Sequence, residues 1–173
     1  MGTREHPTHR DAAVVAALRE VVRRAPVVRV FPPTEEPQDD AGPTRGVGLA
    51  ATQIGEALSL FVIDVASDNE PSDLRVFINP EILETSGCLD WQEGCLSFPG
   101  VTEEVERAAK VKVRAQDRDG VSFELEAEGL LAVAIQHEFD HLQGVLMIDH
   151  LGALKKRIVH RKMQKRADSE TTP

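Results

Sequence analysis

Two histidines four residues apart, His137 and His141, stand in the stretch Gln136-His-Glu-Phe-Asp-His141. On an α-helix that spacing puts both imidazoles on one face, one turn apart, where they can converge on a single metal ion. Glu138, beside the first histidine, can reach a water activated by that ion and act as its general base. The run before them, Leu130-Leu-Ala-Val-Ala-Ile135, is apolar almost all round, so the helix is predicted to be buried. Two imidazoles and two carboxylates in such a helix are costly unless something pairs them, and a divalent ion would.

A His-x-x-x-His spacing also arises by chance, and a metal site of this kind needs a third protein ligand and an open coordination position. Cysteine, histidine and carboxylate are all candidates. The cysteines are Cys88 and Cys95, in a stretch, GCLDWQEGCLS, that says Gly-Cys-Leu twice. Their seven-residue spacing is neither a zinc knuckle nor a redox Cys-x-x-Cys pattern, and two cysteines in 173 residues do not make a disulfide scaffold. They read as free thiols in a reducing compartment. Leu130, Val133 and Ala134 precede His137 by one to two turns, so their side chains can wall a pocket beside the metal; ordinary core packing is the competing use.

The surrounding elements follow from periodicity. Residues 10–24 show apolar positions at helical spacing, with Asp11 near the start and arginines at the end. Residues 31–45 carry four prolines and four acids and are expected to form a long exposed loop. Three β-rich runs come next, Leu60–Val65, Arg75–Ile78 and Lys110–Ala115. The last alternates cleanly and, across Asp117-Arg-Asp-Gly120, meets a second alternating run, Val121–Ala127, as a hairpin. The buried helix follows Gly129, and a more exposed helix is expected from Asp149 onward. The fold class is α+β: small antiparallel sheets packed around a central buried helix carrying His-Glu-Phe-Asp-His, with a C-terminal helix. The length fits one domain over residues 1–173, with an N-terminal helix and loop (1–45), a catalytic core (46–152) and a basic helix and tail (153–173).

No apolar run approaches the roughly 18 residues of a membrane span, and the polar N-terminus has no secretory apolar region, so a cytoplasmic protein with no membrane contact is expected. The net charge of −9 argues against DNA binding. Residues 155–166 nevertheless hold seven Lys/Arg and no acid.

Gly46-Val-Gly-Leu-Ala-Ala-Thr-Gln53, Glu93-Gly-Cys-Leu-Ser97 and Gln136-His-Glu-Phe-Asp-His141 resemble, in order and spacing, the three motifs of peptide deformylases. The similarity runs from about residue 46 to 166. It implies that Cys95, His137 and His141 hold one divalent metal ion, ferrous iron in the cell, although zinc, nickel or cobalt also suit such ligands. It makes Glu138 the catalytic carboxylate, with the Gln53 amide and the Leu96 backbone N–H as donors to the developing oxyanion. Gly48 matches the position whose backbone holds substrate, and Glu93 and Gly94 are implied to line the substrate-binding site with it. Glu93 and Arg107 match an ion pair behind the cysteine loop. Val47 joins Leu130, Val133 and Ala134 around a linear apolar side chain such as methionine, so N-formylmethionyl peptides are the implied substrate. The basic C-terminal helix is implied to dock on the ribosome, and its removal is expected to spare hydrolysis.

The chain departs from that pattern in three ways. The acidic proline-rich loop separates the N-terminal helix from the first motif, and Val101-Thr-Glu103 replaces an arginine that many members carry to hold the peptide backbone. Cys88 and Trp91 match no family motif. Two other readings compete: a zinc endopeptidase of the His-Glu-x-x-His type, and a deformylase-like protein with altered or lost catalysis. The first normally takes a later His or Glu as third ligand and predicts neither of the other two motifs. The second has no physical reason to keep Gln53, Cys95, His137, Glu138 and His141 together.

Overall fold

The structure is a computed structural model that describes Ala16, Val30–Phe31, residues 47–66 and residues 70–170. Apart from Ala16, which is helical, the helix expected over residues 10–24 lies outside the described residues, as does the acidic loop beyond Phe31.

Among the described residues, eight strands form two antiparallel sheets. Strands β2 (Gly48–Ala50), β3 (Leu60–Ile63), β4 (Arg75–Ser86), β7 (Lys110–Gln116) and β8 (Ser122–Glu128) make the larger sheet in the order β2-β3-β4-β7-β8. Strands β1 (Val30–Phe31), β5 (Leu89–Gly94) and β6 (Thr102–Arg107) make the smaller one in the order β1-β5-β6. The β7–β8 hairpin forms as its alternation predicts: Val111, Val113 and Ala115 point into the core, and the pairing runs from Lys110 opposite Glu128 to Gln116 opposite Ser122. Its turn is closed by the Asp117 carboxylate, which accepts from the Asp119 and Val121 N–H groups at 2.9 Å.

Strand β4 runs well past the Arg75–Ile78 segment legible in the sequence. Asn79, with φ of 50°, and Pro80 interrupt its pattern, and the register against β7 shifts between Ile78 and Glu81. A bulge tolerates a proline that a regular central strand would not. Strands β5 and β6 escape periodicity for another reason. Their inward positions include Glu93 and Arg107, a buried ion pair whose charges erase the apolar alternation.

Helix α1 (Gly129–Leu142) follows β8 without a loop, and Gly129 takes a positive φ of 59° at the junction. It packs against β2, β3, β7 and β8. Ala132, Ala134 and Ile135 meet Phe61, Ile63, Phe77, Val111 and Val113 in the main core. The Phe61 and Phe77 rings stack there with centroids 4.8 Å apart.

Helix α2 (Ala153–Glu170) starts later than Asp149, because Met147–His150 forms a separate 3-10 turn and Leu151 is extended. It is exposed over much of its surface, yet Val159 is only 2% exposed and packs with Cys95, Phe98, Val101, Met147 and Ile148. Lys162 donates to the Gly100 carbonyl and Arg166 to the Pro99 carbonyl. This helix is therefore the wall behind the Cys95 loop. Removal of residues 153–173 would therefore uncover the cluster that holds Cys95, which gives a physical reason for hydrolysis not to be spared.

Candidate metal centre

Strand β5 ends at Gly94 and delivers Cys95 to a tight loop, in which Phe98 N–H bonds to the Cys95 carbonyl at 2.9 Å and Val101 N–H to the Phe98 carbonyl at 3.0 Å. Leu96 N–H takes part in none of the backbone hydrogen bonds among the described residues. Helix α1 approaches from the other side with His137 and His141, whose rings lie edge to face at 5.0 Å. The Cys95 Sγ and one nitrogen of each histidine all lie within 4.8 Å of one another, and all three residues are buried. Cys95 Sγ is 3.3 Å from His141 Nε2. Cys88, with the same Gly and Leu neighbours, is exposed.

The surroundings fix each imidazole. Glu93 Oε2 lies 2.8 Å from His137 Nδ1; a carboxylate only accepts, so Nδ1 carries a proton whatever the charge of the ring, and Nε2 is the nitrogen left for a ligand role. That Nε2 is buried with no hydrogen-bond partner. A buried imidazole nitrogen with no protein partner, which offers a lone pair once its proton is displaced, suits together with a thiolate and a second imidazole a divalent ion of the zinc or ferrous class. At the other ligand, Thr52 Oγ1 donates to the His141 carbonyl at 3.1 Å, tying the end of α1 to the 3-10 turn Ala51–Ile54.

Arg107 holds Glu93 from behind, through Nε to Oε1 at 2.6 Å and Nη2 to Oε2 at 3.0 Å. Its Nη1 reaches Asp140 Oδ2 at 2.6 Å. The guanidinium is thus shared between a carboxylate on β5 and one on α1. The Gln136 side chain clamps both backbone groups of Ala108, at 3.0 Å each, and locks α1 to the β6–β7 connection.

Gln53 is oriented by its own backbone. Its Oε1 accepts from Ala50 N–H at 2.8 Å, which leaves Nε2 facing Cys95 Sγ at 3.8 Å. Glu138 is fully buried, and its Oε2 has no partner. Gly48 makes room for it: a Cβ at that position would sit 2.6 Å from Glu138 Oε1.

Burial and charge set the protonation states of the metal-free site. Burial pushes the Cys95 thiol up, but the nearby His137 imidazole and the contact with His141 outweigh it and hold the pKa at about 5. Burial pulls His137 down, and the negative charge of the nearby Cys95 and its bond to Glu93 overcome that to raise it to about 10. Desolvation lifts Glu138 to about 7. Glu93, despite burial, is drawn down to about 2 by His137 and Arg107. The free thiol of Cys88 is pushed up, by desolvation first and then by Glu106.

The residues named from the sequence divide clearly by position. Gln53, Cys95, His137 and His141 converge directly, and Glu138 and Gly48 meet beside them. Glu93 closes β5 next to Gly94, with both carboxylate oxygens committed to Arg107 and His137. Val133 and Ala134 are buried, Leu130 is half-buried, and Val47 packs against the cluster that contains Ala134. Trp91 is buried in β5 opposite Val105. Periodicity did not reveal Thr52, Gln136, Asp140 or His150. Gln136 and Asp140 sit inside the quoted helix motif, where a polar residue in a buried helix is itself a signal that something must satisfy it.

Residues 5–157 match the family model described as polypeptide deformylase. The peptide deformylase of Mesorhizobium japonicum is 50% identical over 155 residues, covering 87% of each chain. The crystal structure of a peptide deformylase from Legionella pneumophila superposes with a TM-score of 0.67 at 46% identity, covering 74% of this chain and 75% of that one. The enzyme from Ehrlichia chaffeensis gives a TM-score of 0.79 at 25% identity, over 97% of this chain and 89% of that one. The matched residues 5–157 include all three motifs that build the Cys95, His137 and His141 cluster, and the chain belongs to the polypeptide deformylase family.

Proposed function

We propose that Glu138, Gln53 and the Leu96 backbone N–H carry the hydrolysis of a formamide at a divalent ion held by Cys95, His137 and His141. As a deformylase the chain is a metal-dependent hydrolase that removes the N-formyl group from nascent polypeptides and releases formate. The family matches favour neither the endopeptidase nor the non-catalytic reading. The ligand assignment rests on one observation above all, the buried and unpartnered His137 Nε2 beside the Cys95 thiol.

When bound, the ion supplies Lewis acidity toward the formyl carbonyl and brings the pKa of a water down to about 7. Glu138 would take a proton from the attacking water as its oxygen bonds to the formyl carbon, and would pass it to the amine as the C–N bond breaks. Burial favours the neutral form of the Glu138 carboxyl and so raises its proton affinity, which suits a group that must both accept and release a proton. Gln53 Nε2 and Leu96 N–H donate to the developing oxyanion, each contributing about 3 kcal/mol. Gly48 keeps the Glu138 carboxylate in place and presents its backbone to the substrate. Val47, Leu130, Val133 and Ala134 form the methionine pocket, with Glu93 and Gly94 as the support of its Cys95 side.

Ferrous iron is the ion we assign in the cell, on the family resemblance, since two imidazoles and a thiolate accept zinc, nickel and cobalt as well. No helix among the described residues is long and apolar enough to cross a membrane; we place the enzyme in the cytoplasm, where nascent chains emerge. For ribosome docking we assign the outer face of α2. Lys155 and Lys156 pair with Glu103 and Asp149, and Lys162 and Arg166 bind loop carbonyls. The exposed Arg157, Arg161 and Lys165 remain for RNA phosphates, beside the exposed Leu154 and Ile158.

The test is formate release from formyl-Met-Ala-Ser by anaerobically prepared protein. Gln53→Glu keeps the acceptor for Ala50 N–H but loses the amide donor, and it should lower kcat about 100- to 1000-fold with little change in KM. No formate from iron- or cobalt-loaded wild type contradicts the reading.

A further inference from the structure

Behind the metal ligands, a line of polar side chains leads from the surface inward. His150, a third exposed, lies with Nε2 2.7 Å from Asp140 Oδ2. Arg107 Nη1 reaches the same oxygen at 2.6 Å, and His150 Nε2 is 3.3 Å from that Nη1. Arg107 then grips both oxygens of Glu93, and Glu93 accepts from His137 Nδ1. The exposure of the side chains falls along this line, from 33% at His150 through 19% at Asp140 and 3% at Arg107 to 0% at Glu93.

We propose that His150 is a positioning residue for the metal centre: by fastening Asp140, and through the shared Asp140 oxygen Arg107, it fixes the rotation of α1 and the Glu93 carboxylate that aims His137. Two features of the geometry carry this. Asp140 lies between His137 and His141 on α1, three residues after the first and one before the second, so any turn of the helix that moves Asp140 moves both imidazoles. Arg107 serves two carboxylates with one rigid planar group, so the Asp140 end and the Glu93 end cannot shift independently. His150 supplies the second donor to Asp140 Oδ2 and comes from the 3-10 turn Met147–His150, whose Met147 and Ile148 pack in the cluster that contains Cys95. His150 thus ties the segment behind the thiolate ligand to the helix that bears both imidazole ligands.

The inference rests on the reading of Cys95, His137 and His141 as ligands, so its test separates the two. Wild type, His150→Phe and His150→Gln are loaded with cobalt. The rate of ion loss to a chelator is followed with the visible cobalt spectrum, and the thermal midpoint of each metal-free protein is measured alongside. Groups that hold a ligand directly change metal affinity by about 10- to 100-fold. One bond further out, His150→Phe should lose cobalt about 3- to 10-fold faster and show an altered cobalt spectrum, with an unchanged metal-free midpoint. His150→Gln, which keeps an N–H donor, should restore the wild-type rate. Loss from His150→Phe at the wild-type rate, or loss from His150→Gln as fast as from His150→Phe, overturns the positioning role, whatever the thermal midpoints. A wild type that takes up no cobalt instead overturns the ligand assignment.

Discussion

Gly48 and Glu138 are in contact, backbone against carboxylate: a methyl group on Gly48 would stand 2.6 Å from Glu138 Oε1 and 2.9 Å from its Cγ. The first motif is therefore shaped around the Glu138 carboxylate, the group we propose as the general base. Gly48→Ala must displace the carboxylate, because the glycine is buried in β2, whose backbone is pinned in the sheet. A displacement of about 1 Å in a catalytic group costs about 100-fold in rate. The expected result is a kcat reduced by that order with metal content unchanged, measured by formate release and metal analysis on one sample.

The two cysteines should separate completely. Cys88→Ser alters an exposed thiol and should leave metal content and activity as they are. Cys95→Ser removes a buried ligand atom and should lose most of both, by metal analysis after gel filtration.

Proton competition sets the pH dependence of metal binding. At neutral pH the metal-free site holds a Cys95 thiolate, with a pKa of about 5, and a protonated His137, with a pKa of about 10. A ligand imidazole must be neutral, so each ion bound expels one proton from His137. The raised pKa means that the competing proton is lost as pH rises, so affinity grows with pH. Between pH 6 and 8 it should rise about tenfold per unit, and below about 5 more steeply, as Cys95 also binds a proton. Chelator competition at pH 6, 7 and 8 measures the slope, and a flat profile contradicts these protonation states.

Helix α2 should give opposite results in two experiments. Truncation after Gly152 removes Val159 from the cluster that holds Cys95, so the thermal midpoint and metal retention should both fall. Reversal of Arg157, Arg161 and Lys165 to glutamate leaves that cluster intact. It should spare hydrolysis of short peptides and weaken ribosome cosedimentation at low salt. Unchanged cosedimentation removes the docking role.

Much of this site was legible because its chemistry is local. His137, Glu138 and His141 share one helix face, and the β7–β8 hairpin announces itself by alternation and a turn of Asp and Gly. The ends of β4 and the whole of β5 and β6 were not legible. Asn79 and Pro80 conceal a bulge in the first, and in the others the core-facing positions are filled by Glu93 and Arg107, charged residues that burial pairs across two strands. Nothing in the sequence says that Asp140 and His150 complete that pair, since the contact joins four separate elements. The structural part of α2 was hidden similarly: its basic composition suggests a surface, and only the packing of Val159 on the Cys95 loop makes it a wall.

The central claim is that Glu138 moves the protons at an ion it does not itself hold. Glu138→Gln keeps the volume and leaves Cys95, His137 and His141 in place. The measurement is formate released per second from formyl-Met-Ala-Ser, with metal content determined on the same preparation. Wild type should release formate, and Glu138→Gln should bind one ion per chain yet release formate about 100- to 10,000-fold more slowly, the range expected for loss of a general acid–base group. Formate release by the metal-loaded variant at the wild-type rate would contradict the account.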